Sequence, residues 1–329
     1  MKNGKIAESV LKRSVLKQLH TKDAALLQAA GPGLDYAAFS SGEGEEVVLA
    51  SAVVDLPSTN LAERAVCMAL NNVVCSGAKP KGVMITLTIP TLWNEAQLRE
   101  LMRDVDAACA KWQVSVMGGH TTVSRAVKTA VLSVTGVGTV GAEKRISSKG
   151  MKAGMSLVAV NPIAFDGTSL LAMNEEEALR QRFSQPFIDQ AREFSENLSI
   201  KKAAELATQA GAAAMHDLSE GGVFGALWEM AEASGCGLEI DLRKIPIRQE
   251  TVEICEFFDL NPYKLLSAGG LLVAAADGSR IVRAMEQEGI PAIIIGTATD
   301  SNDRVLLQEG ERRFLETVQT DEIYKIYHE

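Results

Sequence analysis

The chain has 329 residues, 47% of them hydrophobic and 23% charged, with a formal charge of -9. That size and balance describe a globular chain long enough for two domains and exclude a disordered one. An acidic chain without a basic stripe excludes a nucleic-acid surface, although a local anion pocket remains compatible with it.

Residues 5–19, KIAESVLKRSVLKQL, place Ile6, Val10, Leu11, Val15 and Leu16 at helical spacing with basic residues between them. This predicts a packed amphipathic helix and not a targeting segment. A glycine-flanked loop follows, Gly31-Pro32-Gly33-Leu34-Asp35, presenting one carboxylate before a strand. Residues 45–54, EEVVLASAVV, read as that strand's successor, and Asp55 stands at its end. From Leu61 the residues Leu61, Ala65, Met68, Ala69, Asn72 and Val73 fall at three- and four-residue spacing, the mark of a helix lying on a sheet. Asn71 and Asn72 interrupt this apolar helix, and a buried Asn needs a partner. Either they tie the helix to a neighbouring loop, or with Asp55 they face a polar ligand such as a metal-bound phosphate.

Residues 83–89 predict a strand, 94–112 a helix, 114–117 a short strand and 129–140 another. Between the last two lies Gly118-Gly119-His120-Thr121-Thr122, read as a loop. Its glycines would let a ligand approach the backbone, with His120 and the threonines as donors; a plain tight turn is the other reading. The mixed order of helices and strands predicts an α+β fold.

A charged, small-residue stretch at 141–154 marks the linker between an N-terminal domain (1–145) and a C-terminal domain (152–302), with 303–329 as an extension. Beyond it, Asp166-Gly167-Thr168-Ser169 has helix-start chemistry and 174–209 is largely helical. His216-Asp217-Leu218-Ser219-Glu220-Gly221-Gly222 then reads as a polar loop before a helix over 223–233. Such a loop can hold an anion on first-turn N–H groups, cap the helix, or do both. The five cysteines, Cys67, Cys75, Cys109, Cys236 and Cys255, stand singly in apolar surroundings and read as reduced core residues. The longest apolar runs are strand-sized, so a cytoplasmic protein without a membrane span is expected.

Taken in order, GPGxDxAA, the strand ending in Asp55, NNVVCSGAKP, GGHT, DGTSLLA, AMHDLSEGG, ALWEMAEASGCGLEID and NPYKLLSAGGLLVAA resemble the aminoimidazole ribonucleotide (AIR) synthase and selenophosphate synthetase superfamily. Within it the chain is most similar to the HypE-type hydrogenase maturation factors and AIR synthase-related proteins, over residues 4–298. The resemblance implies a two-domain α+β fold whose N-terminal sheets pair in a homodimer barrel, with a C-terminal α/β sandwich. It also implies ATP and Mg²⁺ as cofactors, with Asp35 and Asp55 as metal ligands and Asp55, His120 and Asp217 at the reacting groups. Gly31, Gly33, Asp35, Asn71, Asn72, Gly118, Gly119, Thr121, His216, Glu220, Gly221 and Gly222 would surround the nucleotide.

The implied activity is phosphorylation of an amide or carbonyl oxygen on a small substrate, or work with a maturation partner protein. Several positions depart from the family's pattern: Tyr36 follows Asp35 where a second acid is common, Asn72 stands where Asn-Asp is common, and His120 replaces an aspartate. The HypE type also carries its carbamoyl group on a terminal cysteine, whereas the last cysteine here is Cys255, so that self-modification is not expected. A degenerate nucleotide-binding or scaffold dimer is the alternative.

Overall fold

The computed structural model describes residues 8–18, 25–42 and 44–327. The chain opens on α1 (Glu8–Val10), continued by a π-turn over Leu11–Val15 and a 3-10 turn over Leu16–Gln18. The helix expected over 5–19 is thus irregular, and none of its described residues is buried; residues 5–7 and 19 lie outside the described ones. It is held by polar contacts instead: Trp228 Nε1 donates to Glu8 Oε2 at 2.9 Å, and Lys12 pairs with Glu232 at 2.5 Å.

Next come β1 (Leu26–Gln28), β2 (Ala37–Ser40), β3 (Glu45–Val54), α2 (Leu61–Val74), β4 (Lys79–Pro90), α3 (Glu95–Trp112), β5 (Ser115–Ser124) and β6 (Val131–Gly141). Their strands form a six-stranded sheet in the order β1-β2-β3-β6-β4-β5. Alternate residues along β6 are buried, as a sheet covered on one face requires. Val54, Val83, Ile85, Leu87, Leu132 and Val134 pack beneath α2 and α3, while Val53 and Met84 are exposed on the sheet. The Gly118–Thr122 segment is not a loop. It lies within β5, parallel to β4, with Gly119 opposite Ile85 and His120 opposite Thr86. A Cβ on Gly119 would stand 1.9 Å from the Ile85 carbonyl oxygen, so its glycine serves strand approach.

The second half contains β7 (Ser156–Val160), α4 (Phe165–Asn174), α5 (Glu176–Leu179), α6 (Gln185–Glu193), α7 (Lys201–Ala210), β8 (Ala214–Asp217), α8 (Gly222–Ser234) and β9 (Gly237–Asp241). It ends with α9 (Gln249–Phe257), β10 (Leu271–Ala275), α10 (Gly278–Glu286), β11 (Ala292–Thr299), β12 (Arg304–Gln308) and β13 (Glu311–Phe314). These strands make a seven-stranded sheet, β13-β12-β9-β11-β7-β10-β8, so residues 304–314 join it instead of trailing as an extension. Both faces are covered, which is why β10 is buried throughout and reads as an unbroken apolar run, LLVAA. Val158 and Val160 share a core with α2, α7 and α10, whereas Leu157 and Ala159 share one with α4 and α8. All five cysteines are free, and Cys236 alone of them is not buried. No helix among the described residues is long and apolar enough to cross a membrane.

Helix α2 cross-links the two halves. Arg64 Nε donates to Asp166 Oδ1 at 2.7 Å and Nη2 to Oδ2 at 3.3 Å, both side chains being buried. Asp166 is therefore an ion-pair partner and not a helix cap; the residue before α4, Ala164, makes no side-chain cap bond. Two turns on, Asn71 Nδ2 donates to Leu198 O at 2.8 Å and Asn71 Oδ1 accepts from Ile200 N at 3.1 Å.

Candidate functional site

A cavity of about 800 Å³ opens where the loop carrying Asp35, strand β3, helix α2, strand β8 and helix α8 meet. Each wall follows from local structure. Gly33 has φ +66° and a Cβ there would lie 2.1 Å from the Glu229 carbonyl oxygen, so the loop presses on α8 and brings Asp35 to it. β8 is a fully buried edge strand paired to β10, Leu272 opposite His216 and Leu271 opposite Asp217. His216 and Asp217 thus project from a strand, not from the loop expected of them. Residues 317–319 close the cavity from the tail, whose Leu315 and Ile323 are buried in the core of the second half.

The consecutive asparagines of α2 divide the two roles weighed for them, because neighbours on a helix point about 100° apart. Asn71 binds the Leu198–Ile200 backbone and does not line the cavity, whereas Asn72 does. The amide orientation that satisfies Asn72 has Nδ2 donating to Asp217 Oδ1 at 2.6 Å and Oδ2 at 3.2 Å. Asp35, Asp217 and Cys75 bring ligand atoms within 4.8 Å of one another. Burial, reinforced by Asp217 and Asp35, pushes the Cys75 thiol well above its ordinary pKa, so it stays a neutral thiol.

His216 is buried, with Nε2 3.1 Å from Asp35 Oδ1 and 3.2 Å from Glu229 Oε2. Burial works against its charge, but Asp35, then Glu229 and Asp217, outweigh burial and push the ring up to about 10. Among the described residues around the cavity, the acids Glu8, Asp35, Asp217, Glu220 and Glu229 outnumber the basic side chains Lys12 and His216. A polyphosphate would therefore be repelled unless divalent cations came with it.

Of the residues singled out in the sequence, Gly31, Gly33, Asp35, Asn72, His216, Asp217 and Glu220 are brought together on this cavity. Gly221 and Gly222 lie beside it. The Gly221 N–H donates to the buried Asp321 Oδ2 at 2.6 Å and the Gly222 N–H to Ser219 O at 3.1 Å, so both amides already have partners. Asp55 is exposed and does not line the cavity, although with Glu220 it acts electrostatically on Tyr324. Gly118, Gly119, His120 and Thr121 sit on edge strand β5, away from the lining. Tyr36, which stands where a second acid is common, is buried and donates its hydroxyl to the Ile146 carbonyl. Sequence reasoning missed Glu229 and Trp228; a carboxylate in the otherwise apolar run GVFGALWEMA was the available signal.

The AIR synthase related protein N-terminal domain matches residues 21–140 and the corresponding C-terminal domain residues 152–308. The chain belongs to the AIR synthase related family. A hydrogenase expression/formation protein of Methanocaldococcus jannaschii is 27% identical over 319 residues, covering 93% of this chain and 91% of that one. The carbamoyl dehydratase HypE of Rhodobacter capsulatus is 26% identical over 251 residues, 74% of this chain and 72% of its own. A crystal structure of the hydrogenase maturation protein HypE in complex with ATP superimposes with a TM-score of 0.71 at 17% identity, covering 98% of this chain and 97% of that one. At that identity the likeness speaks for the fold alone.

The donor set can be tested against Mg²⁺, which the family implies. Asp35 and Asp217 offer carboxylate oxygens, the hard ligands this ion takes, at the wall of a cavity large enough for a nucleotide, with Asn72 donating to Asp217 and the neutral Cys75 thiol beside them. The residues fit.

Proposed function

We propose that this AIR synthase related protein binds a Mg²⁺–ATP complex in the cavity and phosphorylates the carbonyl oxygen of an amide. The observation that carries this reading is the convergence of Asp35, Asn72 and Asp217, from three separate elements, on one acidic cavity. Kinship with a carbamoyl dehydratase and likeness to an ATP-bound fold support it. When bound, the metal–nucleotide supplies the phosphoryl group and neutralises its charge. Asp35 and Asp217 hold the cation, Asn72 orients Asp217 through its amide, and the carboxylate ring keeps uncomplexed anions out. Loss of the phosphorylated oxygen as phosphate would leave a nitrile, the outcome of a dehydration. Cys255 does not carry the amide, because it is buried and its thiol is pushed up to about 12, mainly by burial.

A second copy of the chain would cover the open face of the six-stranded sheet, where Val53 and Met84 are exposed beside the edge strand with Val116, Met117 and Val123. A dimer that binds nucleotide without transferring it is favoured by one feature, the engagement of the Gly221 amide by Asp321. The two readings separate with ATP and an S-carbamoyl cysteine peptide whose carbonyl carries heavy oxygen. Transfer moves the label into inorganic phosphate as ADP forms and the thiocyanate appears. Label retained in intact peptide, with no ADP above background, would refute transfer.

A further inference from the structure

Where β8 faces α8, the His216 ring is fixed by its Nδ1, 2.8 Å from the main-chain oxygen of Asp217. A carbonyl oxygen only accepts, so Nδ1 carries a hydrogen. In the neutral ring Nε2 then holds a lone pair, buried and without an aligned hydrogen-bond partner, between the carboxylates of Asp35 and Glu229. The three ligand atoms lie within 4.8 Å of one another. A lone pair and two anionic oxygens at that range repel unless a cation sits among them. A ring nitrogen donating to a backbone carbonyl while the other faces inward is also the arrangement that orients histidine as a metal ligand.

We propose that Asp35, His216 and Glu229 form a site for a divalent transition metal of the Mn²⁺ to Zn²⁺ series, filled without nucleotide. Imidazole beside two carboxylates suits these ions, whereas Mg²⁺ and Ca²⁺ take oxygen ligands. Asp35 also belongs to the group with Asp217 and Cys75, so its carboxylate would be shared with the nucleotide's cation. The site goes beyond the proposed ATP chemistry and does not require it. A proton on Nε2 is the competing occupant.

The test uses the full chain, stripped with chelator and free of nucleotide, titrated with Mn²⁺ while free Mn²⁺ is followed by electron paramagnetic resonance. One equivalent bound per chain, with imidazole nitrogen coupling in the pulsed spectrum, is expected. Glu229→Gln should weaken binding by at least ~10-fold, and His216→Gln should remove the nitrogen coupling; circular dichroism checks that both variants fold. A site closed by a proton alone binds no Mn²⁺, and that result overturns the proposal. So does Mn²⁺ bound without nitrogen coupling. With nucleotide absent, the outcome is independent of whether ATP binds.

Discussion

Replacing Asp166 by Asn leaves the Arg64 guanidinium buried beside a neutral amide. Both side chains of this pair are nearly inaccessible, at 2% and 0%, and the bond is two-pronged, at 2.7 and 3.3 Å. Unit charges about 4 Å apart interact by about 4 kcal/mol at an effective dielectric of 20. Removing one partner of a buried pair typically costs ~3–5 kcal/mol, because the survivor stays desolvated and uncompensated. Arg64 Nη1 already lacks a partner, which leaves it little to fall back on. Since the pair joins α2 to α4, urea unfolding followed by Trp112 in one half and Trp228 in the other should show both transitions shifting. The double variant Arg64→Met with Asp166→Leu should recover most of the loss, giving a large favourable coupling in the cycle. Single variants that each cost under ~1 kcal/mol, or a double variant no better than their sum, would refute the reasoning.

Asn71→Ala strands the Leu198 carbonyl and the Ile200 amide in the interior and should cost ~2–4 kcal/mol in chemical unfolding. Gly33→Ala must relieve a 2.1 Å contact with the Glu229 carbonyl oxygen, so the loop lifts from α8; thermal melting should fall, and Mg²⁺–nucleotide affinity with it. Asp321 is pushed up to about 7 by burial, against N–H bonds from Ile323, Gly221 and Leu266. The folded carboxyl keeps its proton to higher pH than the unfolded one at 3.8, so its contribution is full below that value and is lost as the pH rises through about 7. Melting temperature should therefore drop from pH 4 to 7 more steeply in the wild type than in Asp321→Asn, which keeps an acceptor oxygen and cannot ionise.

Strands and helices with strong periodicity were legible in the residues, β3 and α3 to within a residue at each end, because alternation and capping are local. The Gly118-Gly119 pair misled. Glycine serves a loop and a tightly apposed strand equally well, and only the position of Ile85 across the sheet decides between them. His216 and Asp217 were found as chemistry but placed on a loop, since a buried edge strand with two ionisable residues breaks the apolar pattern of strands. Arg64 and Asp166, 102 residues apart, carried no local sign of their pairing. Glu229 stood out as a carboxylate in an apolar run, but nothing local tied it to His216, which lies on another element.

Calorimetric titration with a non-hydrolysable ATP analogue, with and without Mg²⁺, on the wild type and on Asp217→Asn, tests the nucleotide site most directly. Asp217 accepts from Asn72 and shares the Asp35 cluster, so binding that needs Mg²⁺ and is abolished by the substitution is the predicted result. Metal-independent binding, binding unchanged by Asp217→Asn, or none at millimolar analogue would contradict it.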